Sequence, residues 1–130
     1  MTLHIEGERR SLKVEINENT GVLLFAGVSL PENANYFFAP VIEELEDYLQ
    51  NPPKNTTINF YIEYLNTSSA LFLRKIIMLC EKKLKPEGLK IIWHYEKDDD
   101  DIKEFGSDFK SVFEKLDMEL KPIDRNPFNY

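Results

Sequence analysis

Ile58-Asn59-Phe60-Tyr61-Ile62-Glu63-Tyr64-Leu65-Asn66-Thr67-Ser68-Ser69 decides how the rest of the chain is read. Ile58, Phe60, Ile62 and Tyr64 alternate with Asn59, Tyr61 and Glu63, the period-two pattern of a strand with one buried face. The pattern stops at Asn66-Thr67-Ser68-Ser69, and Leu71, Phe72, Ile76, Met78, Leu79 and Cys80 then recur at helical spacing. A strand running through a tight polar turn into a helix is the βα half of a parallel crossover unit. The helix should end near Pro86-Glu87-Gly88.

Working towards the N-terminus, Asn51-Pro52-Pro53 closes an earlier helix with Phe37, Phe38, Val41, Ile42, Leu45, Tyr48 and Leu49 on one face. Pro40 complicates it, because an interior proline lacks the N–H for one helical hydrogen bond and clashes with the preceding turn. Either the helix begins near Pro40 or it kinks there. Before it, Leu12, Val14 and Ile16 alternate as a half-buried strand, and the turn-rich Asn17–Gly21 leads into Val22–Val28. That second run is almost wholly apolar and reads as a strand covered on both faces, hairpinned to the first. Towards the C-terminus, Leu89, Ile91, Trp93 and Tyr95 form a further strand. Ile102, Phe105, Phe109, Val112, Phe113 and Leu116 form a third amphipathic helix, and Met118–Ile123 a last short strand. The segment from Asp124 is unassigned. The order β-β-α-β-α-β-α-β predicts an α/β fold with a mixed sheet and about three helices.

The chain of 130 residues is expected to be a single domain, residues 1–130, with enough buried surface to fold without a metal or disulfide. The lone Cys80 sits in an apolar helical pattern, which points to an inert buried thiol in a reducing compartment. Residues 1–5 lack the pattern of a signal peptide, and no apolar run is long enough to span a bilayer, so a cytoplasmic location and no membrane partner are expected. A net charge of −7 and the absence of a basic stripe with interleaved aromatics disfavour nucleic acid.

Few residues carry recognisable chemistry. The chain has no phosphate-binding glycine loop, nucleophile elbow or zinc spacing. Asp98-Asp99-Asp100-Asp101 lacks the spacing and glycine of a calcium loop, and fits the opening of the third helix, where acids complement the dipole. No metal and no cofactor are expected. His94 lies in a strand on the face opposite Ile91 and Trp93. A lone histidine there is more often a packing or hydrogen-bonding residue than a catalyst, and a small α/β enzyme using it with a nearby acid is the competing reading. Tyr36, Phe37 and Phe38 crowd the start of the first helix. Two of them are expected in the core, which leaves one as an anchor for a partner.

The hydroxyl cluster Thr67-Ser68-Ser69 has two readings. Asn66 or Thr67 can cap the helix by accepting from its first N–H groups. Alternatively, one hydroxyl is phosphorylated, adding about −1.5 to −2 charges where the dipole tolerates them. A passive assembly domain would need only the cap.

Three segments bear on that choice. Gly27-Val28-Ser29-Leu30-Pro31-Glu32-Asn33, Tyr64-Leu65-Asn66-Thr67-Ser68-Ser69, and Trp93-His94-Tyr95 followed by acids occur in that order. In motif and spacing the chain resembles the SiaC-like regulatory phosphoproteins from about Gly21 to Ile123. That family is similar in architecture to STAS domains, the fold of anti-sigma-factor antagonists. The resemblance implies a non-enzymatic, partner-switching protein of signal transduction. A partner-switching kinase would phosphorylate Thr67, with Asn66, Ser68 and Ser69 as motif neighbours, and a PP2C-type phosphatase would restore it. It further implies protein–protein contacts at Glu32, Asn33, Tyr36 and Tyr64. The unmodified form would bind an effector such as a diguanylate cyclase, in cyclic-di-GMP signalling. An anti-sigma-factor target is the alternative output.

Overall fold

The computed structural model describes residues 3–128. Its sheet has six strands: β1 (Leu3–Ile5), β2 (Lys13–Asn17), β3 (Val22–Ser29), β4 (Thr56–Leu65), β5 (Leu89–Glu96) and β6 (Asp117–Ile123). The helices are α1 (Ala34–Gln50), α2 (Thr67–Lys83) and α3 (Asp100–Val112), with a single 3-10 turn at Pro86–Gly88. The mixed α/β architecture with three helices is the expected one, enlarged by β1. Three residues are too few to show a period, so β1 carries no sequence signal. It pairs antiparallel with β2 along one edge.

Strand order in space equals strand order in the chain, β1-β2-β3-β4-β5-β6. The first three strands are antiparallel and the last four parallel. Three right-handed crossovers that all advance in one direction place α1, α2 and α3 on the same face of the sheet. That face carries the core: Val14 and Ile16, Leu23 and Phe25, Ile58 and Phe60, Ile91 and Trp93, and Met118. Phe38 of α1 stacks on Phe72 of α2 at 4.8 Å between ring centres, and α3 lies on Trp93, whose indole N–H donates to the Ile102 carbonyl at 2.9 Å.

Among the described residues the opposite face has no helix on it, which corrects the reading of Val22–Val28 as covered on both sides. Val22 is exposed, and Leu24 and Val28 are only partly covered. A second correction concerns β4. Gly27 pairs with Ile62 but Val28 pairs with Tyr64, so Glu63 is an extra residue in the ladder. Gly27 accommodates this bulge with φ of 108°. The bulge reverses the alternation of β4. Tyr64, in phase with Ile58 and Phe60 by sequence, turns outward at 56% exposure, and Leu65 enters the core.

The helix α1 starts upstream of Pro40 and runs through it. Pro40 lies on the exposed side, where water can reach the carbonyl left free one turn earlier. The segment after β6 also has a place. β4 and β5 pair only as far as Tyr61 and His94 and then part. Asn126, 3% exposed, bridges the parting strands. Its side-chain amide donates to the Tyr61 carbonyl at 3.0 Å, and its backbone N–H donates to Glu96 Oε2 at 2.8 Å. Phe128 sits edge-on to Tyr61 at 5.1 Å, with Lys13 Nζ 5.3 Å from its ring.

Candidate functional site

The parallel strands deliver three helix openings to one end of the sheet, and two motifs meet there. Ser29 ends β3 and Ser69 lies in the first turn of α2, both fully buried. Ser29 Oγ donates to Ser69 Oγ at 2.7 Å, and Ser69 Oγ donates to the Ser29 carbonyl at 3.0 Å. The Asn66 N–H donates to the same carbonyl at 3.2 Å. Asn66 caps α2, its side-chain oxygen accepting from the Ser69 N–H at 2.9 Å. The three hydroxyls are therefore not equivalent. Ser69 is enclosed and fully engaged, whereas Thr67, the first helical residue, and Ser68 are exposed.

This division gives a direct test of which residue caps the helix. Asn66→Ala should cost about 1 kcal/mol in urea unfolding, the usual loss for a cap. Thr67→Ala should change stability by less than about 0.5 kcal/mol, as for a surface position without special contacts.

The remaining motif residues surround this corner. Asn33 caps α1, accepting from the Tyr36 N–H at 3.0 Å, so its side-chain oxygen is occupied. Glu32 is exposed, and Tyr36 stands 72% exposed while Phe38 is buried and Phe37 half-buried. On the other side, a groove of ≈ 520 Å³ separates the start of α2 from α3. Tyr64, Asn66 and Thr67 form one wall, and Asp101, Glu104, Phe105 and Asp108 the other. Sequence reasoning missed this acidic wall as a neighbour of Thr67, because α3 is brought there by the fold alone.

The aspartate run opens α3 as expected. Asp99 caps the helix through the Ile102 N–H at 3.1 Å, and Asp100 and Asp101 lie in the first turn. Among the described residues no cluster of His, Cys, Asp and Glu is arranged to hold a metal. Cys80 is fully buried, and burial pushes its thiol up to about 12.

His94 lies on the helix-free face, away from Thr67. It is 4% exposed, stacks on Tyr61 at 3.8 Å, and contacts Asn59 Oδ1 at 3.2 Å through Nε2. Its direct partner is thus an amide, and its Nδ1 is buried without one. Burial pushes its pKa down to about 4, with Lys121 acting in the same direction and Glu119 against it. Between pH 6.5 and pH 4 the unfolded chain binds a proton that the folded one refuses. His94 therefore destabilises the fold progressively as pH falls through that window, by at most about 3 kcal/mol. Glu63 opposes it, since burial and then Glu96 and Asp99 raise its pKa and favour the folded state on acidification. Urea unfolding at pH 7.5 and pH 5 should show a loss in wild type that shrinks clearly in His94→Gln. Equal losses in the two proteins would exclude His94 as the cause.

Comparison with known proteins agrees with this fold. A chain of the crystal structure of diguanylate cyclase SiaD in complex with its activator SiaC, from Pseudomonas aeruginosa, superposes with a TM-score of 0.83. That match is 24% identical in sequence and covers 93% of this chain and 99% of the other. The crystal structure of apo-SiaC from the same organism gives a TM-score of 0.80 at 24% identity, covering 92% and 97%. The uncharacterized protein PA14_02130 of Pseudomonas aeruginosa strain UCBPP-PA14 is 29% identical over 111 residues, 83% of this chain and 86% of its own. The model of the SiaC family regulatory phosphoproteins matches residues 5–123, a span containing the Ser29, Asn66 and Ser69 lock and the exposed Thr67, and the chain belongs to that family.

Proposed function

We propose that this protein is a non-enzymatic partner switch, acting as a single domain in the cytoplasm, controlled by phosphorylation of Thr67. The observation that carries the reading is the division of labour in the first turn of α2. Asn66 does the capping and Ser69 is locked to Ser29, which leaves Thr67 exposed and without a structural task. A kinase of the partner-switching type adds the phosphoryl group and a PP2C-type phosphatase removes it. The unmodified form binds an effector, with a diguanylate cyclase favoured because the SiaC of Pseudomonas aeruginosa is the activator of the cyclase SiaD.

The physical basis is electrostatic and steric. Residues at the corner, Glu32, Asn33, Tyr36 and Tyr64, contribute to the docking face around Thr67. A dianion on Thr67 is tolerated by the helix dipole, so the fold survives. Across the groove, however, Asp101, Glu104 and Asp108 repel it. The phosphate is driven outward, into the surface the effector must cover. Ser68 is exposed too, but it lies one residue further from the acidic wall, outside the groove lining.

The test is site-resolved mass spectrometry on protein isolated from its own cells with phosphatases quenched, together with identification of what co-purifies. Phosphoryl on Thr67 and a co-purifying cyclase that is lost from the modified form are expected. Unmodified Thr67 in every growth state would overturn the switch. Capture of an anti-sigma factor in place of a cyclase would keep the switch and change its output.

A further inference from the structure

The helix α2 carries an outer stripe that nothing among the described residues covers. Thr67, Leu71, Arg74, Met78 and Glu81 follow one another at helical spacing, flanked by Lys75 and Lys82, and all seven are exposed. Leu71 and Met78 are 62% and 51% exposed, unusual for large apolar side chains on a helix that buries Leu73, Ile76, Ile77 and Cys80 on its other side. Among the described residues, Arg74, Lys75 and Lys82 form no ion pair. With three cations against the one carboxylate of Glu81, this strip is net basic in a protein of net charge −7.

We infer that the outer stripe of α2 docks an acidic amphipathic helix of the effector, with apolar anchors on Leu71 and Met78 and carboxylates facing Arg74, Lys75 and Lys82. Charge complementarity selects this occupant, because a basic segment would meet three unpaired cations against the single carboxylate of Glu81. It also rests on the proposal that the unmodified form is the one that binds, and it explains the sign of that switch. Thr67 stands one turn above Leu71 on the same stripe. A phosphate there repels an acidic partner, whereas it would attract a basic one.

The test uses the unphosphorylated full chain and two labelled synthetic helical peptides of about 18 residues, with the same leucine pattern and either Glu or Lys at the flanking positions. Fluorescence anisotropy should show the Glu peptide binding about tenfold or more tightly than the Lys peptide, and weakening as salt rises. The double variant Arg74→Glu, Lys75→Glu should invert the preference, and Leu71→Ser with Met78→Ser should weaken both peptides. Equal binding of the two peptides, or a preference that survives charge reversal, overturns the inference. So does sedimentation showing that wild type self-associates through this stripe, which would make the occupant a second copy. The two proposals fail separately. A Glu preference that phosphorylation of Thr67 leaves unchanged keeps this surface and removes the switch. Phosphoryl on Thr67 in cells without a Glu preference does the reverse.

Discussion

Gly106→Ala should lower the stability of the fold by about 3 kcal/mol, more than any surface change. Gly106 is buried in α3 where the helix backbone rests on the indole of Trp93. A Cβ at this position would lie 2.6 Å from Trp93 Nε1 and 2.7 Å from Cγ, with Cδ1 closer still. Such distances do not relax by a small rotamer change, because Trp93 is fully buried between Phe60 and Phe109. The indole must move or the helix must lift. Either displacement strains the hydrogen bond from Trp93 to the Ile102 carbonyl, so the cost of overpacking, about 1–3 kcal/mol, is joined by that of a weakened buried bond, about 1 kcal/mol. For a chain of this size the melting temperature should fall by roughly 10 °C. Differential scanning calorimetry reads this directly, and near-ultraviolet circular dichroism reports whether the indole has moved. A variant melting within about 2 °C of wild type would show that α3 can slide on the sheet at little cost.

Phosphorylation of Thr67 should weaken effector binding more than a hundredfold, a coupling of about 3 kcal/mol. The magnitude comes from placing a dianion in a contact that is otherwise dehydrated, where an unpaired charge is costly to bury. Thr67→Asp should reproduce only part of the loss, since a carboxylate carries less charge and reaches less far. Thr67→Ala should bind like the unmodified protein and should not respond to the kinase. Calorimetric titration of the co-purifying effector with the unmodified, phosphorylated and alanine forms separates these cases. Alanine and phosphorylated proteins with the same affinity would mean that the hydroxyl itself makes the contact, and that charge does not operate the switch.

Much of this was legible from alternation and helical spacing, because those patterns record burial on one face. The strands β2 to β6 and all three helices leave such records. The sequence is silent where a structural role depends on residues far apart. Ser29 and Ser69 are 40 positions apart, and nothing local distinguishes the enclosed Ser69 hydroxyl from the exposed one of Thr67. The bulge at Glu63 defeats the period-two rule from within, since one extra residue reverses the outward and inward sides. That is why Tyr64 looks like a core residue in the sequence and stands at the surface. The helix-free second face of the sheet was hidden for a different reason. Val22–Val28 is apolar enough for two covered faces, but the direction of the crossovers decides how many faces receive helices. Asn126 shows the same limit, because a polar residue after the last strand reads as a free end until its partners on β4 and β5 are seen.

The identity of strand order and chain order bears on how the molecule is made. During synthesis each strand from β2 onward emerges beside a neighbour that already exists, so the sheet can grow from one edge as the ribosome advances. No strand waits for a later one to be inserted between it and its predecessor. From β3 onward the growing edge is a strand awaiting a parallel neighbour, and β5 stays open until β6 arrives. A nascent chain stalled before Asp117 would therefore present the strand Leu89–Glu96 unpaired on its outer side, an open edge prone to aggregation until β6 is made.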